Sequence, residues 1–262
     1  MNKKEMMRNP RKVRIETEKA PPSTGFRSQG LVAGGVLFTG GQIGAAMPEE
    51  GVLREPSTDL KEAVQLTLGH LEQVTLASGS SSEQVFEVSA FPKVSGKREV
   101  IAEVVKKFLG YNPPLFNYHE VFDVAAHALL EMDWMAAEKA GQDLEQLAEI
   151  LRPLGNGPEQ VMIESGPFRI WNRLKGHGQD LGEASEVLLS EIKSRLEEQG
   201  GELDDLVKLT VFIKEFDPYP LFNEATKQAF ADIMPPTRSV LVAPEVTGKA
   251  QICMDVLALK PN

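Results

Sequence analysis

The chain has 262 residues, 42% of them hydrophobic and 25% charged, with a formal net charge of −10. That length suits one large domain or two of roughly 100–130 residues, and the acidic balance opposes nucleic-acid binding, because phosphates are met by Lys and Arg. A single cysteine, Cys253, excludes an intrachain disulfide, and no apolar run approaches the length of a membrane span.

In chain order, the run 1–19 gathers Lys3, Lys4, Arg8, Arg11, Lys12, Arg14 and Lys19 without the apolar core of a signal peptide. It is expected to be a flexible basic tail on a cytoplasmic protein. Residues 30–39 read as a hairpin turning at Gly34-Gly35. Asp59-Leu60-Lys61-Glu62-Ala63 opens a helix whose Val64, Leu68 and Leu71 fall at helical spacing, and Ser78-Gly79-Ser80-Ser81 ends it. A strand over 85–93 follows, then a helix closing near Phe108, then Pro113-Pro114 and two apolar strands ending in Leu130-Glu131-Met132-Asp133. Asp143 to Leu151 reads as a short amphipathic helix, with Leu144, Leu147, Ile150 and Leu151 on one side, and Gly155-Asn156-Gly157-Pro158 breaks the chain after it.

The same order then returns. Asp180-Leu181-Gly182-Glu183-Ala184 repeats the first helix opening 121 residues on, Pro235-Pro236 repeats the double proline 122 residues on, and Ile252-Cys253-Met254-Asp255 repeats the last strand. A hairpin turning at Ser165-Gly166-Pro167 opens this second unit. The sequence therefore predicts an α+β protein of two tandem units, residues 20–136 and 159–262, joined by a linker over 137–158. Each reads β-β-α-β-α-β-β, a mixed sheet with two helices on one face. The other face needs a partner, either the second unit or another chain.

Several motifs resemble the RidA/YjgF family of reactive-intermediate deaminases. In the first unit they are Ala20-Pro21, Thr24-Gly25-Phe26-Arg27-Ser28-Gln29-Gly30 and Leu37-Phe38-Thr39-Gly40-Gly41-Gln42-Ile43. In the second they are Thr210-Val211-Phe212-Ile213-Lys214, Phe222-Asn223 and Pro236-Thr237-Arg238-Ser239. The resemblance implies a chorismate-mutase-like fold, a homo-oligomer built as a trimeric or pseudo-trimeric ring, and ligand clefts between neighbouring units. It also implies an Arg that grips a substrate carboxylate, a bidentate match of two planar groups, and a Glu fifteen residues later that handles the proton or the water.

The two units depart from that pattern in opposite ways. Arg238 holds the Arg position, with Cys253 where the Glu belongs; Phe116 stands at the first unit's Arg position, with Glu131 at its Glu position. Arg27 replaces the family's Tyr, Gly40-Gly41 replaces its Ser-Gly pair, and Asn172-Arg173 stand at that place in the second unit. The catalytic candidates are accordingly Arg238, Glu131 and Cys253. Those for substrate binding are Arg238, Asn223, Gly41 and Arg27, with backbone N–H groups near Gly41 polarising the substrate nitrogen. Each has a plainer reading: a strand-end salt bridge for Arg238, a cross-sheet pair for Glu131, a helix cap for Asn223, an inert core thiol for Cys253. Arg238 close to Cys253 would lower the thiol pKa. Asp133 and Asp255, recurring in both units, read as structural. The histidines His70, His119, His127 and His177 lack ligand spacing, so no metal is expected, and no cofactor.

The implied activity is hydrolytic deamination of a small carboxylate-bearing enamine or imine. Glu131 serves it only if the units face each other, since the family geometry places Arg and Glu on one subunit. The alternatives are a non-catalytic module that binds a small carboxylate metabolite and a specialised biosynthetic enzyme on the same scaffold. Ribonuclease activity, also associated with the family, fits the acidic balance poorly.

Overall fold

The computed structural model describes residues 9–22, 25–47 and 55–261. Lys3, Lys4 and Arg8 of the basic run, and Thr24 of the motif before Gly25, lie outside them.

Two sheets carry the fold. The first contains β1 (Lys12–Ile15), β2 (Gly30–Ala33), β3 (Val36–Thr39), β4 (Gln42–Ile43), β5 (Val85–Pro92), β6 (Leu115–Tyr118) and β8 (Leu130–Ala137). Their order is β1-β2-β3-β8-β5-β6, with β4 also on β8. The second contains β7 (Asp123–Val124), β9 (Met162–Ser165), β10 (Phe168–Gly176), β11 (Leu206–Ile213), β12 (Thr237–Val242) and β13 (Ile252–Leu259), in the order β7-β12-β11-β13-β10-β9. From β2 in one sheet and β9 in the other, the two orders coincide strand for strand. Each has one parallel pair, β5 with β6 and β11 with β12.

Local chemistry explains the elements. Gly34 and Gly35 both take positive φ, +58° and +81°, as a two-residue hairpin turn demands. Helices α1 (Leu60–Ala77) and α4 (Leu181–Glu198) each begin on an Asp whose carboxylate accepts an orphan backbone N–H: Asp59 from Glu62 and Asp180 from Glu183, both at 2.9 Å. Helix α2 (Arg98–Leu109) ends on Gly110 in the left-handed region. The repeated helix-opening motif is thus a repeated N-cap.

Helices lie outside and sheets inside. Leu68 and Leu71 of α1, with Ile101 and Val105 of α2, pack on Val88 and Trp134 of the first sheet. Leu188 and Ile192 of α4, with Phe222 of α5 (Tyr219–Ala229), pack on Val211 and Met254 of the second. The free faces then meet each other: Phe38, Phe86 and Met135 pack against Phe168, Val207 and Leu257, with Phe38 edge-on to Phe168 at 5.6 Å. Ala148 and Leu151 of α3 (Leu144–Leu151), the helix of the predicted linker, close this inner core. The partner surface that each sheet needs is therefore supplied within one chain, and covering it does not require a ring of subunits.

The expected tail is corrected over its described part. Residues Lys12–Ile15 pair with Gly30–Ala33 as an edge strand. The Lys12 ammonium is buried, 3.0 Å from Asp204 and bonded to the Leu206 and Met234 carbonyls, while Arg11 pairs with Asp205. Burial lowers the Lys12 pKa, and Asp204 opposes that shift. The basic residues counted as solvated charges instead fasten the segment to an acidic corner of the second half.

The caps give a direct test. Asp180→Ala is expected to lower stability by about 1 kcal/mol, seen as a lower urea midpoint with an unchanged slope.

Candidate active site

Strand β12 carries Arg238, and the first half holds that strand in place. Ser28 N–H donates to the Pro236 carbonyl at 3.1 Å, Gly41 N–H to the Arg238 carbonyl at 3.0 Å, and Phe122 N–H to the Val242 carbonyl at 2.7 Å. On the other side β12 runs parallel to β11, with Arg238 opposite Leu209. The site is therefore built where the two halves meet.

One stripe of α5 receives the Arg238 side chain: Tyr219, Phe222, Asn223 and Thr226, spaced by three and four residues. Nη1 donates to Thr226 Oγ1 at 3.1 Å, and Nη2 donates to the Tyr219 hydroxyl at 2.9 Å and to Asn223 Oδ1. The guanidinium stacks over the Phe222 ring at 4.9 Å. It is 1% exposed, and burial lowers its pKa from the usual Arg range. Among the described residues it makes no ion pair, and its Nε has no protein partner. A buried cation without a carboxylate partner is costly, because nothing offsets its lost hydration charge for charge.

A hollow of about 240 Å³ opens beside it, lined among others by Pro21, Arg27, Gly41, Glu131, Tyr219 and Arg238. Glu131 comes from β8 of the first half and Arg238 from the second, so the retained Arg and the retained Glu share one cleft. Burial raises the Glu131 pKa to about 7; Arg27 opposes this, Asp133 adds to it, and hydrogen bonds from Val240 N–H and Ser239 oppose it. Near neutrality this carboxyl is present in both forms, which suits a general acid that must also act as base. Behind it, Ser239 Oγ donates to Asp133 at 2.5 Å, and Asp133 pairs with buried Lys208 at 2.8 Å. Gly41 is required here, because a Cβ at that position would overlap the Glu131 carboxylate.

The remaining candidates sort differently. Arg27 lines the cleft, its Nη1 donating to the carbonyls of Gly41 at 3.1 Å and Arg238 at 3.3 Å. Asn223 sits inside α5, not at its cap, and holds Arg238 without lining the hollow. The Gly41 N–H is committed to the Arg238 carbonyl, so it does not polarise a substrate nitrogen. Cys253 is corrected outright: it lies opposite Phe212 on β11, two strands from Arg238, in an apolar cluster with Leu241 and Val246. It is fully buried, and burial pushes its thiol up to about 12, the reverse of activation. Tyr219, Thr226 and Lys208 were not anticipated, although the first two share with Phe222 and Asn223 a helical stripe readable in the sequence.

The reciprocal place is filled. Arg173 stands where Gly41 stands in the first half; its backbone N–H and its Nη1 both bond Asp255, at 2.8 and 2.6 Å, and its guanidinium covers Phe212 at 4.3 Å. Phe116, at the other Arg position, lies under Arg98. Among the described residues, no group of three or more His, Cys, Asp and Glu side chains could hold a metal ion, and no helix is long and apolar enough to cross a membrane.

Residues 139–260 match the family model described as Endoribonuclease L-PSP. A RutC family protein of Pyrococcus abyssi is 29% identical over 122 residues, 47% of this chain and 94% of that protein. TdcF of Escherichia coli K12, which bears the name of a reactive intermediate deaminase, is 31% identical over 111 residues, 42% of this chain and 83% of that protein. The crystal structure of E. coli TdcF with bound serine aligns at 26% identity and a TM-score of 0.43, covering 48% of this chain and 98% of that one. Each of these relatives spans about half of the present chain.

The Glu131 environment predicts a pH dependence. Folding raises its pKa from 4.5 to about 7, so the folded chain binds the extra proton between those values. The stability this contributes is full below about pH 4.5 and is lost as the pH rises through about 7; Asp255, raised to about 6, and Glu87, raised to about 8, act in the same direction. Glu131→Gln is expected to flatten the decline by on the order of 2 kcal/mol between about pH 5 and 8, measured as urea midpoints across that range.

Proposed function

The chain belongs to the reactive-intermediate deaminase family, RidA/YjgF, and on that premise we propose that it hydrolyses small carboxylate-bearing enamines or imines to a 2-oxo acid and ammonia. The observation that carries the proposal is the meeting of Arg238 and Glu131 in one hollow across the two halves. A charge-assisted hydrogen bond with Arg238 fixes the substrate carboxylate and supplies the anion that the guanidinium lacks. The enamine carbon takes a proton from Glu131 and becomes an imine. Water then adds to the imine carbon, giving its proton to the carboxylate, and ammonia leaves as the carbonyl forms. One enamine and one water become one 2-oxo acid and one ammonia, and Glu131 ends as it began. Because the substrate is already electrophilic after protonation, orientation and one acid/base group suffice.

The binding-only alternative drew its strength from the lost Glu at position 253. Glu131 supplies a carboxyl to the same cleft, which favours the hydrolase. The acidic chain gives no comparable support to cleavage of RNA. We also read the halves, residues 20–136 and 159–262, as diverged copies of one domain; matching strand orders and the paired caps Asp59 and Asp180 support this.

The assay generates enamines of several 2-amino acids in situ and follows 2-oxo acid and ammonia. Glu131→Gln is expected to slow turnover by about 10²–10⁴-fold, the usual worth of a general acid/base, and Arg238→Ala to abolish saturable binding. Unchanged rates in Arg238→Ala would remove the guanidinium from the mechanism.

A further inference from the structure

Among the described residues, two guanidinium groups, not one, face the cleft. Arg27 lines the same hollow as Arg238 and uses Nη1 to hold the carbonyls of Gly41 and Arg238. Its other nitrogens make no hydrogen bond among the described residues, and Arg27, like Arg238, makes no ion pair there. Among the described residues, the one acidic side chain lining the hollow is Glu131, buried beside Gly41. A single substrate carboxylate neutralises only one of the two cations. The space agrees with a larger ligand: about 240 Å³, where one water needs only ~10–15 Å³ on the same measure, exceeds what a three-carbon acid fills. Apolar walls from Pro21, Pro22, Ile43, Phe216 and Val240 suit a short carbon chain between two charged ends.

We infer that the substrate is a dicarboxylate, an enamine or imine whose 2-carboxylate pairs with Arg238 and whose second carboxylate pairs with Arg27. The inference rests on the proposed site and narrows it to one substrate class. Arg27 thereby acts as a specificity-determining residue, rejecting chains with a neutral end because its charge would be left without a counterion.

Binding of two product-like acids tests this: 2-oxoglutarate and 2-oxopentanoate, which share five carbons and differ only in the terminal carboxylate. Isothermal titration of the full chain is expected to give at least tenfold tighter binding of 2-oxoglutarate. Arg27→Met should erase that preference by weakening 2-oxoglutarate far more than 2-oxopentanoate, and Arg27→Lys should keep part of it; thermal unfolding midpoints establish that both variants fold. Equal affinities in the unaltered protein, or loss of both ligands by one factor in Arg27→Met, overturn the dicarboxylate inference and leave anion binding by Arg238 standing. If neither acid binds the unaltered protein, the anion site itself fails, and the inference with it.

Discussion

The backbone seam between the first half and β12 is the constraint on which the rest of the structure depends. Three main-chain donors, on Ser28, Gly41 and Phe122, reach carbonyls of Pro236, Arg238 and Val242. They satisfy the outer edge of a strand that would otherwise present unpaired polar groups. In doing so they set the distance between Gly41 and Arg238, and hence between Glu131, lodged against Gly41, and the guanidinium. Sheet contact through Phe38, Met135, Phe168 and Leu257 presses the halves together, but an apolar contact is non-directional. The seam is what specifies the register.

Electrostatics follow from that placement. A guanidinium with 1% exposure is costly unless its donors are met, and Thr226, Tyr219 and Asn223 meet its Nη donors with neutral oxygens. Neutral partners keep the positive charge available, whereas a carboxylate at any of these positions would cancel it. The negative group is handled in the opposite way. Burial keeps Glu131 largely protonated up to about pH 7, and the Ser239–Asp133–Lys208 chain behind it holds its charges in a separate, closed pair. The cleft is thus positive overall although the chain is acidic.

Much of the fold could be read from local sequence because its signals are local. The glycine pair of the first hairpin, the aspartate caps of α1 and α4, and the strands beginning at Val85 and Leu206 each depend on residues a few positions apart. The strand β1 could not be read so: Lys12 is a core residue only because Asp204 and the Leu206 and Met234 carbonyls, 192 to 222 residues away, surround it. Cys253 shows the complementary error. Its place on the strand matches that of Glu131, yet Phe212 across the sheet and Val246 in the loop before β13 decide its chemistry, and no motif encodes them. Arg238 and Glu131 were recognisable separately. Their meeting depends on how the halves pack, which neither half contains alone.

The filled reciprocal position has a further consequence. In a ring of identical subunits every interface is a copy of every other, so a substitution that improves a cleft alters all clefts at once. Here the two faces of the junction are encoded by different codons. Arg173, locked to Asp255 within the second half, fills the place that Gly41 leaves open in the first, so one face of the junction can stay closed while the other varies.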